Sequence, residues 1–171
     1  MLTADSLRRV PPSVPLALRT AVDAATEAWR VSLGMRLVSL VLFGSVARGD
    51  AHDSSDIDLI VVAEGFPRSL ADRRRPLLAE WERVRAEQGL AAVEWNLVTK
   101  TPEEARCHSP IYLDVTLDGI LLVDRDGFFQ SFLDAMRARM RVLGSRRVFL
   151  PDGSWYWDLK PDFKFGEVVE I

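Results

Sequence analysis

Two apolar runs of strand length, Leu37 to Phe43 and Ile57 to Val62, frame the segment that most restricts what this chain can become. The first run stops at Gly44-Ser45. A short small-residue stretch, Val46 to Arg48, and a polar loop, Gly49 to Ser55, lead to the second run, which opens with Asp56-Ile57-Asp58. Side chains alternate along a strand, so Asp56 and Asp58 share one face and Ile57 takes the other. Two carboxylates held close repel and raise each other's pKa unless a cation neutralises them. An oxygen-only pair suits a hard divalent ion. Mg²⁺ typically takes one or two carboxylates together with substrate phosphates.

Gly44 and Ser45 supply the complementary half. A glycine where a strand ends lets backbone approach a ligand closely, and free N–H groups at a following helix start attract phosphate oxygens. The Ser45 hydroxyl can donate to the same anion. The stretch therefore combines a phosphate cradle with a metal-binding carboxylate pair, which points to nucleotide chemistry.

Gly44-Ser45, a ten-residue spacer and Asp56-Ile57-Asp58 together resemble the signature of the DNA polymerase beta-like nucleotidyltransferase superfamily. The compact Gly-Ser-Val-Ala-Arg-Gly form is most similar to minimal nucleotidyltransferases, including the antitoxin half of HEPN/MNT toxin–antitoxin pairs. The resemblance implies a small mixed β-sheet of α/β (α+β) type with helices packed mainly on one face. It also implies an enzyme that moves a nucleoside monophosphate from a nucleoside triphosphate, expected to be ATP, to a hydroxyl acceptor. Asp56 and Asp58 would hold two Mg²⁺ ions, with Mn²⁺ as a substitute. Gly44 and Ser45 would grip the terminal phosphates. Arg48 would assist there or brace the loop through an ion pair.

In the resembled family a third carboxylate sits on the strand after the next helix, beside the aspartate pair. Glu94 is the candidate for that role, as metal ligand and as an aid to deprotonating the acceptor; the family position is more often aspartate. Asp114 is the fallback. The acceptor is open between a protein hydroxyl on a HEPN-type partner and a small cationic molecule of aminoglycoside type. The latter calls for an acidic pocket to which Asp114, Asp118 and Glu94 could contribute. A third reading is a binding module that occludes its partner without catalysis.

Composition narrows the classes. At 171 residues the chain is expected to form one domain over residues 1–171 with a core of its own. Its net charge of −3 argues against nonspecific nucleic-acid binding as the main task. A lone cysteine, Cys107, precludes an intrachain disulfide, and no ligand partners stand at metal spacing around Cys107-His108, which fits a reducing cytoplasm. No apolar run reaches membrane-spanning length, and Met1 to Val10 lacks a signal-like apolar core. The expected setting is cytoplasmic, without a membrane, and open to an oligomer.

Residues 1–12 read as a flexible lead-in. A helix is expected from Ser13 or Val14 to about Leu33, with Leu18, Val22, Ala25 and Trp29 on its apolar face and Gly34 as its stop. Ser69 caps a second helix that ends at Gln88-Gly89, with Pro76 predicting a kink or a late start. Arg73, Arg74 and Arg75 read as a solvated basic face. A third strand is expected over Leu90 to Val98 and a fourth over Gly119 to Val123. Thr101-Pro102 signals a helix start, and a long amphipathic helix follows over Phe128 to Leu143. His52 belongs to a solvent-exposed loop near the carboxylates. Residues 145–171, rich in tryptophan and arginine, read as an aromatic extension that packs back on the domain.

Overall fold

The computed structural model describes residues 10–169. The lead-in expected over residues 1–12 lies outside the described residues up to position 9. Beyond it, Val10 packs on the core and Pro11 lies against the Gly49 turn.

Helix α1, Leu16–Leu33, opens the described fold and ends at Gly34, whose φ of 53° lies in the left-handed region that glycine tolerates. Strand β1, Leu37–Phe43, is followed by a one-turn helix α2, Gly44–Arg48, and by β2, Ile57–Ala63. Helix α3, Leu70–Gln88, carries β2 over to β3, Trp95–Lys100, which pairs with it in parallel. Two short helices, α4 (Pro102–Ala105) and α5 (Ile111–Asp118), lead to β4, Ile120–Asp124. Helix α6, Phe128–Leu143, and a hairpin of β5, Arg146–Phe149, with β6, Trp155–Asp158, complete the order.

The main sheet runs β3-β2-β1-β4, with β1 antiparallel to both its neighbours. Every residue of β1 is buried, the pattern of a strand covered on both sides. Two cores explain it. Leu40, Leu42, Ile57, Leu59 and Val61 pack under α1 and α3. Val41, Phe43, Ile60 and Val62 pack under α5 and α6 through Tyr112, Val115, Phe129 and Leu133. The expected small mixed sheet is present, but its helices cover both faces rather than mainly one. Alternation along β1 and β2 leaves apolar side chains on each face, and each set needs its own cover.

Local signals in the sequence fix several boundaries. Ser69 accepts a hydrogen bond from the Asp72 N–H, and Gly89 closes α3 in the left-handed conformation. Pro76 does not delay the start of α3, which begins at Leu70. The third strand begins at Trp95, not at Leu90. Its parallel partner β2 begins at Ile57, whose N–H donates to the Glu94 carbonyl, and the loop before Ile57 offers no ladder for residues 90–93.

Candidate active site

The end of β1 and the starts of β2 and β3 meet at one end of the sheet, and this junction builds the site. Register places Asp58 opposite Phe43 on one side and Asn96 on the other. Its carboxylate accepts a hydrogen bond from the Asn96 amide at 2.7 Å. Asp58 is half-buried, and burial is the main reason its pKa is raised. The Asn96 hydrogen bond opposes that shift, the Asp56 charge adds to it, and Arg48 opposes it through its positive charge. Asp56 remains exposed.

Gly44 faces the same carboxylate. Its φ is +72°, and a Cβ there would overlap the Asp58 side chain, 3.0 Å from its Cγ. Backbone and carboxylate thus approach more closely than any side-chain-bearing residue would allow. Beside them opens a cleft of about 490 Å³, lined by Ser45, Arg48, Asp50, His52, Ser54, Ser55, Asp56 and Glu94. Every side chain named in its wall is polar or charged. His52 is exposed on the loop, with its Nδ1 3.1 Å from the Ser54 hydroxyl.

Arg48 braces the loop. Its guanidinium pairs with Asp50 at 3.0 Å and lies over the Trp155 ring at 4.9 Å. Glu94 is exposed and stands just ahead of β3 rather than within it. The cleft brings it together with Ser45 and Asp56. Among the described residues, no three His, Cys, Asp or Glu side chains are grouped so as to hold a metal ion. The side chain that touches Asp58 from β3 is the amide of Asn96, a residue the sequence reading passed over. Its signal was available: in parallel strands with alternating side chains, the residue two beyond Glu94 shares its face.

The fallback carboxylate, Asp114, is committed elsewhere. One of its oxygens accepts from Arg147 at 2.9 Å and from the indole N–H groups of Trp155 and Trp157 at 3.1 and 3.0 Å. Arg147 also pairs with Asp118 at 2.7 Å. The acidic pocket expected from Asp114, Asp118 and Glu94 therefore does not form, because an arginine from the C-terminal hairpin engages two of its three members. Through Trp155 that hairpin reaches back to Arg48.

Comparison with known proteins places this geometry in context. The sequence model of the nucleotidyltransferase domain matches residues 25–118, from within α1 to the end of α5. A Methanocaldococcus jannaschii protein, provisionally named a protein adenylyltransferase, is 27% identical over 120 residues, which are 70% of this chain and 81% of that protein. A toxin–antitoxin crystal structure with AMP-PNP is 21% identical, with a TM-score of 0.48, over 71% of this chain and 87% of that one. A Sulfolobus solfataricus protein, provisionally named a nucleotidyltransferase, is 22% identical, with a TM-score of 0.38, over 64% of this chain and 88% of its own.

Proposed function

Because this chain belongs to the nucleotidyltransferase domain family, we propose that it transfers AMP from ATP to a hydroxyl group, and that the hydroxyl belongs to a partner protein. The observation that carries the reading is the approach of the Gly44 backbone to the Asp58 carboxylate beside a polar cleft. Phosphate oxygens and their counter-ion need a place where backbone N–H groups and carboxylates face one small volume.

In the reaction, the acceptor oxygen attacks the α-phosphorus of ATP. The bond to the bridging oxygen breaks, and pyrophosphate leaves. Gly44 and Ser45 hold the terminal phosphates, and Arg48 keeps the loop in place through Asp50. Glu94, which lines the same cleft, takes the acceptor's proton. The donor set fits Mg²⁺, since it consists of oxygens and includes a carboxylate whose charge burial disfavours. Asp56 and Asp58 are the residues that would hold it. When bound, the ion supplies neutralisation of charge on the attacking and leaving oxygens. A protein acceptor is supported by the name of the Methanocaldococcus jannaschii relative and by the minimal form of the Gly-Ser motif, which makes a HEPN-type protein the first partner to test. A cationic small-molecule acceptor loses its basis with Asp114 and Asp118 bound to Arg147.

Mass spectrometry of a cell extract and of candidate partners, after incubation with the chain, ATP and Mg²⁺, tests the proposal. One or more AMP units are expected on a tyrosine, serine or threonine. The Asp58→Asn variant is expected to lose at least 100-fold in rate while its Tm does not fall. It removes a charge that burial penalises and keeps an oxygen for Asn96 to donate to. Transfer at the normal rate by that variant would overturn the mechanism.

A further inference from the structure

A second cleft, of about 430 Å³, lies away from the carboxylate pair, between the first turn of α3, the end of β3 and α4. Along β3 it begins about 7 Å beyond Asn96, since Val98 stands two residues further on. Arg68, Arg73, Arg74 and Lys100 line it against a single carboxylate, Glu104. That carboxylate is already spent. It grips the buried Arg73 at 2.5 and 2.9 Å, while Arg73 also donates to the carbonyls of Pro67 and Thr99. Arg73 is thus a strut of the floor, and Arg68, Arg74 and Lys100 bring charge without a carboxylate of their own.

Two polar groups in this wall lack partners. Thr99 is 3% exposed, and its hydroxyl has no hydrogen-bond partner among the described residues; the same holds for the buried Nε of Arg74. A buried polar group left unpaired costs about 1–3 kcal/mol, so the wall carries a local cost that a bound ligand drawing Arg74 and Thr99 toward it would relieve. The rest of the wall is apolar, through Leu70 and Val98. The volume is that of a small-molecule site.

We infer that this cleft binds a phosphate monoester of nucleoside-monophosphate size. Two guanidinium groups and an ammonium offer more donors than the two oxygens of a carboxylate can accept, and the three terminal oxygens of a phosphate take up more of them. The organic part of the ester covers Leu70 and Val98. The site is independent of the transfer reaction.

Cys107, the chain's only cysteine, reports on it directly, being exposed and part of the cleft lining. AMP is the probe. Alkylation of Cys107 by iodoacetamide in the unmodified protein is expected to slow at least fivefold with saturating AMP. In the Arg74→Gln/Lys100→Gln variant the protection is lost and the AMP affinity that it reports falls tenfold or more, with circular dichroism and basal AMP transfer unchanged. No protection by AMP overturns the inference, as does protection that persists in the double variant. Inorganic phosphate that protects as well as AMP overturns the assignment to an ester and leaves a site for the free anion. Since the readout is at Cys107, a protein inactive in transfer still gives an answer here.

Discussion

Gly44 works under two constraints at once. Its φ of +72° would cost an alanine about 1–2 kcal/mol, and a Cβ would overlap the Asp58 carboxylate besides. Gly44→Ala is therefore expected to lower unfolding stability by about 2 kcal/mol, read by urea titration. It is also expected to weaken ATP binding, since Asp58 must move. A variant with unchanged stability and unchanged ATP affinity would refute the close approach. Arg73 gives the opposite lesson at the same scale. The sequence reads it as one of three solvated arginines, yet it is 3% exposed and bound to two carbonyls and a carboxylate. A run of like charges says nothing about which member turns inward. That depends on what α4 and β3 bring near it.

Among the elements, the hairpin of β5 and β6 does more than cover the domain. The Arg147 guanidinium lies 4.8 Å from the Trp155 ring and 5.5 Å from that of Trp157, and Trp155 also meets Arg48. Each such contact contributes about 1 kcal/mol when partly desolvated. If Arg48 holds the phosphate loop, Trp155→Ala should raise KM for ATP about five- to tenfold with kcat little changed, and Trp155→Phe should recover most of the loss by restoring an aromatic face. Steady-state kinetics decides it. A fall in kcat at constant KM would mean that the hairpin serves the acceptor instead. The hairpin was signalled locally by Asp152-Gly153 between two apolar stretches, a recognised turn pair. The aromatic richness of the tail drew the reading away from its strand pattern. Helix α5 was missed because it is short and carries β-branched residues, so its pattern is weak.

For the whole molecule, acid stability offers a test of how the layers are tied. Glu104 joins α4 to Arg73 of α3 across the end of β3, and Arg73 holds its carboxyl at about 2, below the ordinary 4.5. A depressed carboxyl favours the folded state above its unfolded value. That contribution is present above pH 4.5 and is lost as pH falls through about 2. The Glu104 side chain is 45% exposed, so solvent screening reduces the effect to on the order of 1 kcal/mol. Glu104→Gln should flatten the stability curve between pH 5 and 2 by about that amount, followed by thermal unfolding across pH. An unchanged acid limb would remove the strap from the account. Within the layer of α1 and α3, apolar contact does the tying. Trp95 meets Trp29 and Trp81 edge-on at 5.2 and 5.1 Å, binding α1 and α3 to β3.

By itself, the sequence determined the elements that local chemistry controls. Strand β1 and helix α6 run over the expected spans, and β2, α1 and α3 lie within a few residues of them, because apolar period, caps and glycine stops act over a few residues. It also determined the motif, since Gly44 and Asp58 are consecutive ends of neighbouring strands and a fixed spacer closes them on each other. Only the tertiary structure decided that both sheet faces are covered, that Asn96 rather than a carboxylate touches Asp58, and that Asp114 is withdrawn by Arg147. Each of these joins residues distant along the chain, Asp114 and Arg147 being 33 apart. Periodicity carries no information about which distant side chain arrives with the opposite charge.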